Sequence, residues 1–358
     1  ISYSYKNEWI EGYIKALKRE IIETINNIKE EFIIDTIYIG GGTPSYIDSK
    51  YIYEILQMSE LKNKVAEDCE ITIEINPGTI DKKKIIDYKN AGINRISMGL
   101  QSTNNEILKA IGRIHTYEQF LESYNLVRMA GFENINVDLM LALPNQTIEI
   151  LEESVQKVIN INPEHISIYS LILEEDTKLY DMVNSNKTSL PSEEQEREMY
   201  WKVKELLEKH NYNHYEISNF SKAGFESKHN CNCWKQNEYL GLGVAAHSYY
   251  NNIRYSNVTE VEKYIENVNK NLIKNNITVN EEQSIIDKQK EFVMLGLRRI
   301  QGIMLEDFYK KFNMRLEKVF ENEIETLKKQ GLIEINNYNI KLSNLGIDLA
   351  NLVWEKFV

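Results

Sequence analysis

The chain has 358 residues, 42% of them hydrophobic and 27% charged, and a formal net charge of −12. That composition excludes a disordered chain, and the acidic balance argues against a protein that coats nucleic acid or an anionic membrane. Without a run of about 18 apolar residues, and with three cysteines in place of a disulfide framework, the expectation is a cytoplasmic protein of more than one domain.

In chain order, Trp9, Tyr13, Leu17, Ile21, Ile25, Ile28 and Phe32 recur every three or four positions, which predicts an amphipathic helix over residues 7–32. The β-branched run in "DTIYIGGGTP" is closed by glycines and predicts a buried strand. A helix over 49–61 precedes strand "EITIEINPG", and a helix over 81–91 precedes strand "INRISMGLQS". Two helices follow, over 105–111 and 117–130, then strand "NINVDLML", a helix over 147–160 and strand "HISIYSLIL".

Strands separated by helices of about ten residues predict parallel βαβ units, and an open or closed β/α barrel suits them better than a doubly wound sheet. In either fold ligands sit at the carboxyl ends of the strands. That rule selects Gly40 to Thr43, Glu74, Asn76, Gln101 and Asp138. Past residue 175 a charged helix over 192–210 leads to "NHYEISNF" and a loop-rich region with "KHNCNCWK". From about residue 281 three helices, the run "GLIEINNYNIKLSNLG" and a last helix resemble a winged-helix module. The expected domains are therefore 1–175, 176–280 and 281–358.

The strand-end residues have two readings each. "GGGTP" lacks the lysine of a phosphate loop and the spacing of a dinucleotide fingerprint. Three glycines there let a ligand reach the backbone, where bare N–H and C=O groups can hold an amino-acid head group; the alternative is a tight turn with Pro44 opening a helix. Glu74, Gln101 and Asp138 suit hydrogen bonds to ribose hydroxyls or an amino group, or else they cap helices. Arg113 suits a bidentate carboxylate contact or an ordinary surface ion pair. Cys231, Cys233 and His229 give three clustered ligands where zinc usually takes four, and C-x-C is not the usual redox spacing. His210 fits a helix C-terminus, and His115, His165, His214 and His247 read as structural.

"YIGGGTPS", "EINPGT", "NRISMGLQS", "IGRIHT", "NVDLMLALPNQT", "PEHISIYSL" and "HYEISNF" stand in an order and spacing that resemble radical S-adenosylmethionine (SAM) enzymes. The resemblance is to the oxygen-independent coproporphyrinogen III oxidase-like group, and within it to the haem-chaperone branch. It implies an α/β fold, a partial six-unit β/α barrel with a helical, winged-helix-like C-terminal domain. It implies that Gly41, Gly42 and Thr43 hold the methionine end of SAM, and that Glu74, Gln101, Arg113 and Asp138 line the SAM cavity. Pro144 and Gln146 fall in a matching structural turn. The family's C-x3-C-x2-C motif for a [4Fe–4S] cluster has no counterpart in this chain, so the cluster cysteines are expected upstream of Ile1. The branch's haem motif H-N-x-x-Y-W corresponds to His229, Asn230 and Trp234, with Cys233 in place of the tyrosine. His229, Cys233 and Trp234 are thus candidate haem contacts, against a reading in which they pack a loop.

The resulting expectation is a haem-trafficking protein binding SAM, a cluster and haem, with no catalytic residue assigned. Its partners would be haem or a porphyrin, an acceptor protein and peripheral contacts with membrane proteins. The alternative is oxidative decarboxylation of coproporphyrinogen III. DNA binding by the C-terminal module is disfavoured, because residues 304–358 carry eight Lys/Arg against nine Asp/Glu.

Overall fold

A computed structural model describes residues 7–175 and 177–357. The first apolar stripe forms α1 (Asn7–Asn27) and stops short of Phe32, after a polar Asn-Asn pair of low helix propensity. Strand β1 (Ile34–Ile39) follows. The single helix expected over 49–61 is two, α2 (Ser49–Leu56) and α3 (Ser59–Lys62), because Met58 adopts extended backbone between them. Then come β2 (Val65–Ile75), α4 (Lys82–Ala91) and β3 (Arg95–Gln101). Helices α5 (Asn105–Ala110) and α6 (Tyr117–Met129) lead to β4 (Ile135–Leu141). Asp81, Asn104 and Thr116 each accept backbone N–H groups at the start of α4, α5 and α6.

Helix α7 (Ile148–Ile161), β5 (His165–Ser170), α8 (Lys178–Asn184) and α9 (Glu193–Lys209) come next, followed by β6 (Asn213–Glu216) and β7 (Asn219–Ser221). The stretch "KHNCNCWK", expected as a loop, is helical. Lys228–Trp234 form α10, started by the Ser227 side chain accepting from Asn230 N–H. Strands β8 (His247–Tyr250) and β9 (Ile253–Asn257), helix α11 (Val261–Asn269), strand β10 (Ile277–Glu282) and helix α12 (Ile285–Gly296) follow. The chain continues through β11 (Ile303–Met304), α13 (Leu305–Phe312), α14 (Leu316–Val319) and α15 (Glu321–Lys329). It closes with β12 (Ile333–Ile335), β13 (Asn339–Leu342), α16 (Asn344–Asp348) and α17 (Ala350–Trp354).

Two units emerge. The first holds Asp35–Leu56 and Asp68–Glu226 and is built on a seven-stranded sheet in the order β1-β2-β3-β4-β5-β7-β6. Strands β2 to β5 pair in parallel through helical crossovers, as the alternating pattern requires, and the sheet ends in the antiparallel β7 and β6. All seven residues of β3 are buried, which marks it as a central strand covered on both faces. This is the expected partial β/α barrel. The turn holding Pro144 and Gln146 is tied by Gln146, whose Oε1 accepts from Leu143 N–H (3.0 Å) and whose Nε2 donates to the Met140 carbonyl (3.2 Å).

The second unit holds residues 7–34, Gln57–Glu67 and 227–357. Here α1 packs on α11 around Ala16, Val258, Tyr264 and Val268. At its centre Glu20 is 4% exposed and accepts from Gly243 N–H (2.7 Å), Asn257 Nδ2 (2.8 Å) and Tyr264 Oη (2.5 Å). The C-terminal segment has the expected winged-helix-like plan, with helices α12 to α15 and a small antiparallel sheet β11-β13-β12. Phe292, Phe308, Phe312, Phe320 and Phe357 stack edge to face inside it. Among the described residues no helix is long and apolar enough to cross a membrane.

Candidate functional site

Side chains two apart on a strand share a face, so parallel register lines up polar residues across the sheet. Glu74, Ser97, Asn136 and His165 stand level on β2, β3, β4 and β5. The next level towards the carboxyl ends holds Gly99, Asp138 and Ser167. The result is a polar inner face in a sheet whose other face is aliphatic.

At the β1 end the glycine turn is tied to Glu74. Tyr38 Oη donates to Glu74 Oε1 (2.8 Å), and Gly41 N–H donates to Oε2 (3.1 Å). Burial, together with the Glu74 charge, raises the Tyr38 pKa and keeps its phenol a donor. Gly40 is required by space: a Cβ there would meet the Tyr38 ring at 2.7 Å and the Glu74 carboxyl carbon at 2.8 Å. Gly41 and Gly42 have φ of 81° and 88°, which disfavours other residues, and the space beside Gly41 is open. Thr43 Oγ1 accepts from Asn76 Nδ2 (2.9 Å), linking the turn to the end of β2.

Gln101 ends β3 with φ 68°, a strained value for a non-glycine residue, next to a register shift after Gly99. Gly99 makes room for it, since a Cβ there would lie 2.9 Å from Gln101 Nε2. The Gln101 side chain is buried and its Oε1 has no hydrogen-bond partner, an orphan acceptor of the kind a ligand donor satisfies. Burial pushes the Asp138 carboxyl up to about 6; the Asn136 amide opposes the rise, Glu74 adds to it, and Arg95 and Ser167 oppose it. Arg113 lies within electrostatic reach of Asp138, and burial lowers its own pKa. The structure therefore gathers Gly41, Gly42, Thr43, Glu74, Gln101, Arg113 and Asp138 in one unit, with Glu74 and Gln101 at strand ends, Asp138 in the middle of β4 and Arg113 in the loop after α5.

Sequence reasoning missed Tyr38 and Asn136. The period-two alternation Asn136–Asp138 was a visible signal, but their partners come from neighbouring strands.

In the second unit, α10 places His229 and Cys233 four residues apart, on one helix face. Trp234 falls about 140° from His229, so it does not share that face. Cys231 and Cys233 lie about 200° apart, a geometry that forbids a disulfide between them, and none of the three cysteines is in a disulfide. Burial pushes the Cys233 thiol up, with Arg254 opposing. The helix is anchored just beyond its end, where Gln236 Nε2 donates to Glu291 Oε2 (2.7 Å) and Lys288 O (3.0 Å) on α12.

A β/α half-barrel with polar strand ends and an open glycine turn is a build that suits a bound cofactor, and comparison with known proteins specifies the class. Residues 3–158 match the Radical SAM superfamily and residues 284–349 the HemN C-terminal domain. The chain is 38% identical over 354 residues to the heme chaperone HemW of Lactococcus lactis subsp. lactis (strain IL1403), covering 98% of this chain and 90% of that protein. It is 35% identical over 357 residues to the heme chaperone HemW of Bacillus subtilis (strain 168), covering 99% and 93%. Coproporphyrinogen III oxidase (HemN) from Escherichia coli, a radical SAM enzyme, superposes with a TM-score of 0.82 at 21% identity, covering 98% of this chain and 84% of that one. At that identity the likeness concerns the fold.

The chain therefore belongs to the radical SAM family that includes these relatives named heme chaperone HemW. Membership implies SAM and a [4Fe–4S] cluster as cofactors. The orphan Gln101 oxygen, the open Gly41 backbone and the Asp138 and Glu74 carboxylates fit a ligand with ammonium and hydroxyl donors. The cluster has no such fit. Among the described residues no group of three His, Cys, Asp or Glu side chains is placed to hold a metal ion, and Cys69 is buried in β2.

Proposed function

We propose that this chain is a radical SAM-type haem chaperone, which binds haem and passes it to an acceptor protein in the cytoplasm. The observation that carries the reading is its near-full-length likeness to relatives named heme chaperone. In this reading the Gly41–Gly42–Thr43 backbone receives the methionine end of SAM. Glu74 and Asp138 accept from its ammonium and hydroxyl groups, Gln101 offers its free oxygen, and Arg113 faces its carboxylate.

The haem ligand is His229. A neutral imidazole nitrogen is a usual axial ligand, whereas the raised pKa of the Cys233 thiol leaves little thiolate to compete at neutral pH. The test offers the full-length protein haem and, separately, coproporphyrinogen III with SAM and a reductant. A chaperone develops a saturable Soret band and leaves the porphyrinogen intact. Formation of protoporphyrinogen IX with no haem band would replace this reading by the oxidase.

A further inference from the structure

Beneath Asp138 the neighbouring groups fix the direction of the Asn136 amide and the tautomer of His165. Asn136 Nδ2 is 2.8 Å from Asp138 Oδ1 and 2.8 Å from Ser97 Oγ. A carboxylate only accepts, so the amide nitrogen must face it and Asn136 Oδ1 must point the other way. There it meets His165 Nδ1 at 2.6 Å, with the Ser167 hydroxyl at 3.1 Å shared with Asn219 Oδ1 at 2.9 Å. The imidazole therefore carries its hydrogen on Nδ1, and Nε2 accepts from Tyr215 Oη at 2.7 Å. Burial holds the His165 pKa well below its ordinary value, so the ring stays neutral and this tautomer persists. Asn136, His165 and Ser167 are all buried, so water does not compete.

This chain of contacts consumes one oxygen of Asp138 and spares the other. Oδ1 is taken by Asn136, while Oδ2 has only a long contact from Ser97 Oγ at 3.4 Å, with the Ser167 hydroxyl beside the carboxyl helping to hold its pKa down. We propose that Asn136 is a positioning residue for the cofactor site: it turns and anchors the Asp138 carboxylate so that Oδ2 is presented to a hydroxyl or ammonium donor of the ligand. His165 and Tyr215 fix the direction of the Asn136 amide. The proposal rests on the SAM reading for the identity of the donor, and on this geometry alone for the positioning.

The charged and titratable groups facing Asp138 are Tyr38 on β1, Glu74 on β2, Arg95 on β3, Tyr169 on β5 and Arg113 after α5. None of them donates a close hydrogen bond to Oδ1, so removal of the Asn136 donor falls directly on the ionised form. Carboxyl-labelled aspartate, with Asp138 assigned by Asp138→Asn, reports its titration by carbon NMR without any ligand. The parent should titrate near pH 6. Asn136→Leu should raise that midpoint by about one pH unit or more, because a hydrogen bond to the charged form is lost. Asn136→Ala removes the donor without adding bulk or charge and should raise the midpoint as well; it decides the matter if the leucine variant melts. An unshifted midpoint in a folded variant overturns the proposal.

A second readout separates positioning from general packing. SAM affinity in Asn136→Leu should match the parent within about twofold at pH 9 and fall about threefold at pH 6.5, the loss of ionised carboxylate when a midpoint near 6 rises by one unit. Equal weakening at both pH values overturns the proposal in favour of a packing role. Failure of the parent to bind SAM at any pH overturns the ligand assignment, and the carboxylate titration then decides the role of Asn136 by itself.

Discussion

Gly40 shows how little freedom the cofactor end of the sheet has at the scale of single residues. With Tyr38 and Glu74 both inside 3 Å of any Cβ, Gly40→Ala must displace the Glu74 carboxylate that anchors the Gly41 amide. The expected outcome is at least a tenfold loss in SAM affinity by calorimetry with the fold retained, since the turn is exposed. Asp138→Asn should weaken SAM binding by roughly 1.5–3 kcal/mol, the usual loss for a hydrogen bond to a charged group. Glu153→Gln, which removes one partner of a helix-surface ion pair with Lys157, should leave binding unchanged. The sequence singles out Glu74, Gln101 and Asp138 because strand ends are where parallel β/α folds place ligands; Gln101 does end β3 and Glu74 lies next to the end of β2, whereas Asp138 lies in the middle of β4. Tyr38 and Asn136 were not legible, because their roles depend on which residues stand level on the adjacent strand, and no single strand encodes that register.

Helix α10 illustrates the same limit at the scale of an element. "KHNCNCWK" has no apolar stripe, so periodicity offered no helix, and its only local signal was Ser227 as a cap. The length of α1 was over-read for the opposite reason: Ile28 and Phe32 continue the apolar spacing beyond the point where the backbone leaves the helix. Ser227→Ala should cost about 1 kcal/mol and lower haem affinity along with local helix protection, as read by hydrogen exchange across α10.

The β6–β7 hairpin gives a pH prediction. His214 stacks on Phe220 at 4.4 Å, and burial holds its pKa at about 4, below the ordinary 6.5. The unfolded chain binds this proton first, so the stabilisation is complete above pH 6.5 and is lost as pH falls towards 4. His165 adds in the same direction. The melting temperature should drop between pH 7.5 and pH 5, and His214→Phe should drop less. An equal drop in both would detach His214 from the effect.

Across the whole molecule, the strand–helix alternation before residue 175 and the helices with a hairpin after 281 predicted the architecture, since both patterns recur at fixed spacing. What remained unread was the joining of α1 to elements more than two hundred residues later. That junction depends on Glu20, whose three donors come from the Gly243 turn, β9 and α11. Removing a buried carboxylate strands those donors, so Glu20→Ala should destabilise by about 3–5 kcal/mol, with Glu20→Gln milder, in thermal melts of the two variants.

The central claim, that the chain carries haem, is tested most directly by an equilibrium haem titration of the parent and His229→Ala followed by absorbance. The account predicts one saturable haem per parent chain, lost or greatly weakened in His229→Ala and kept in Cys233→Tyr. Haem binding of equal affinity in all three proteins would contradict the ligand assignment, and no saturable binding by the parent would contradict the function itself.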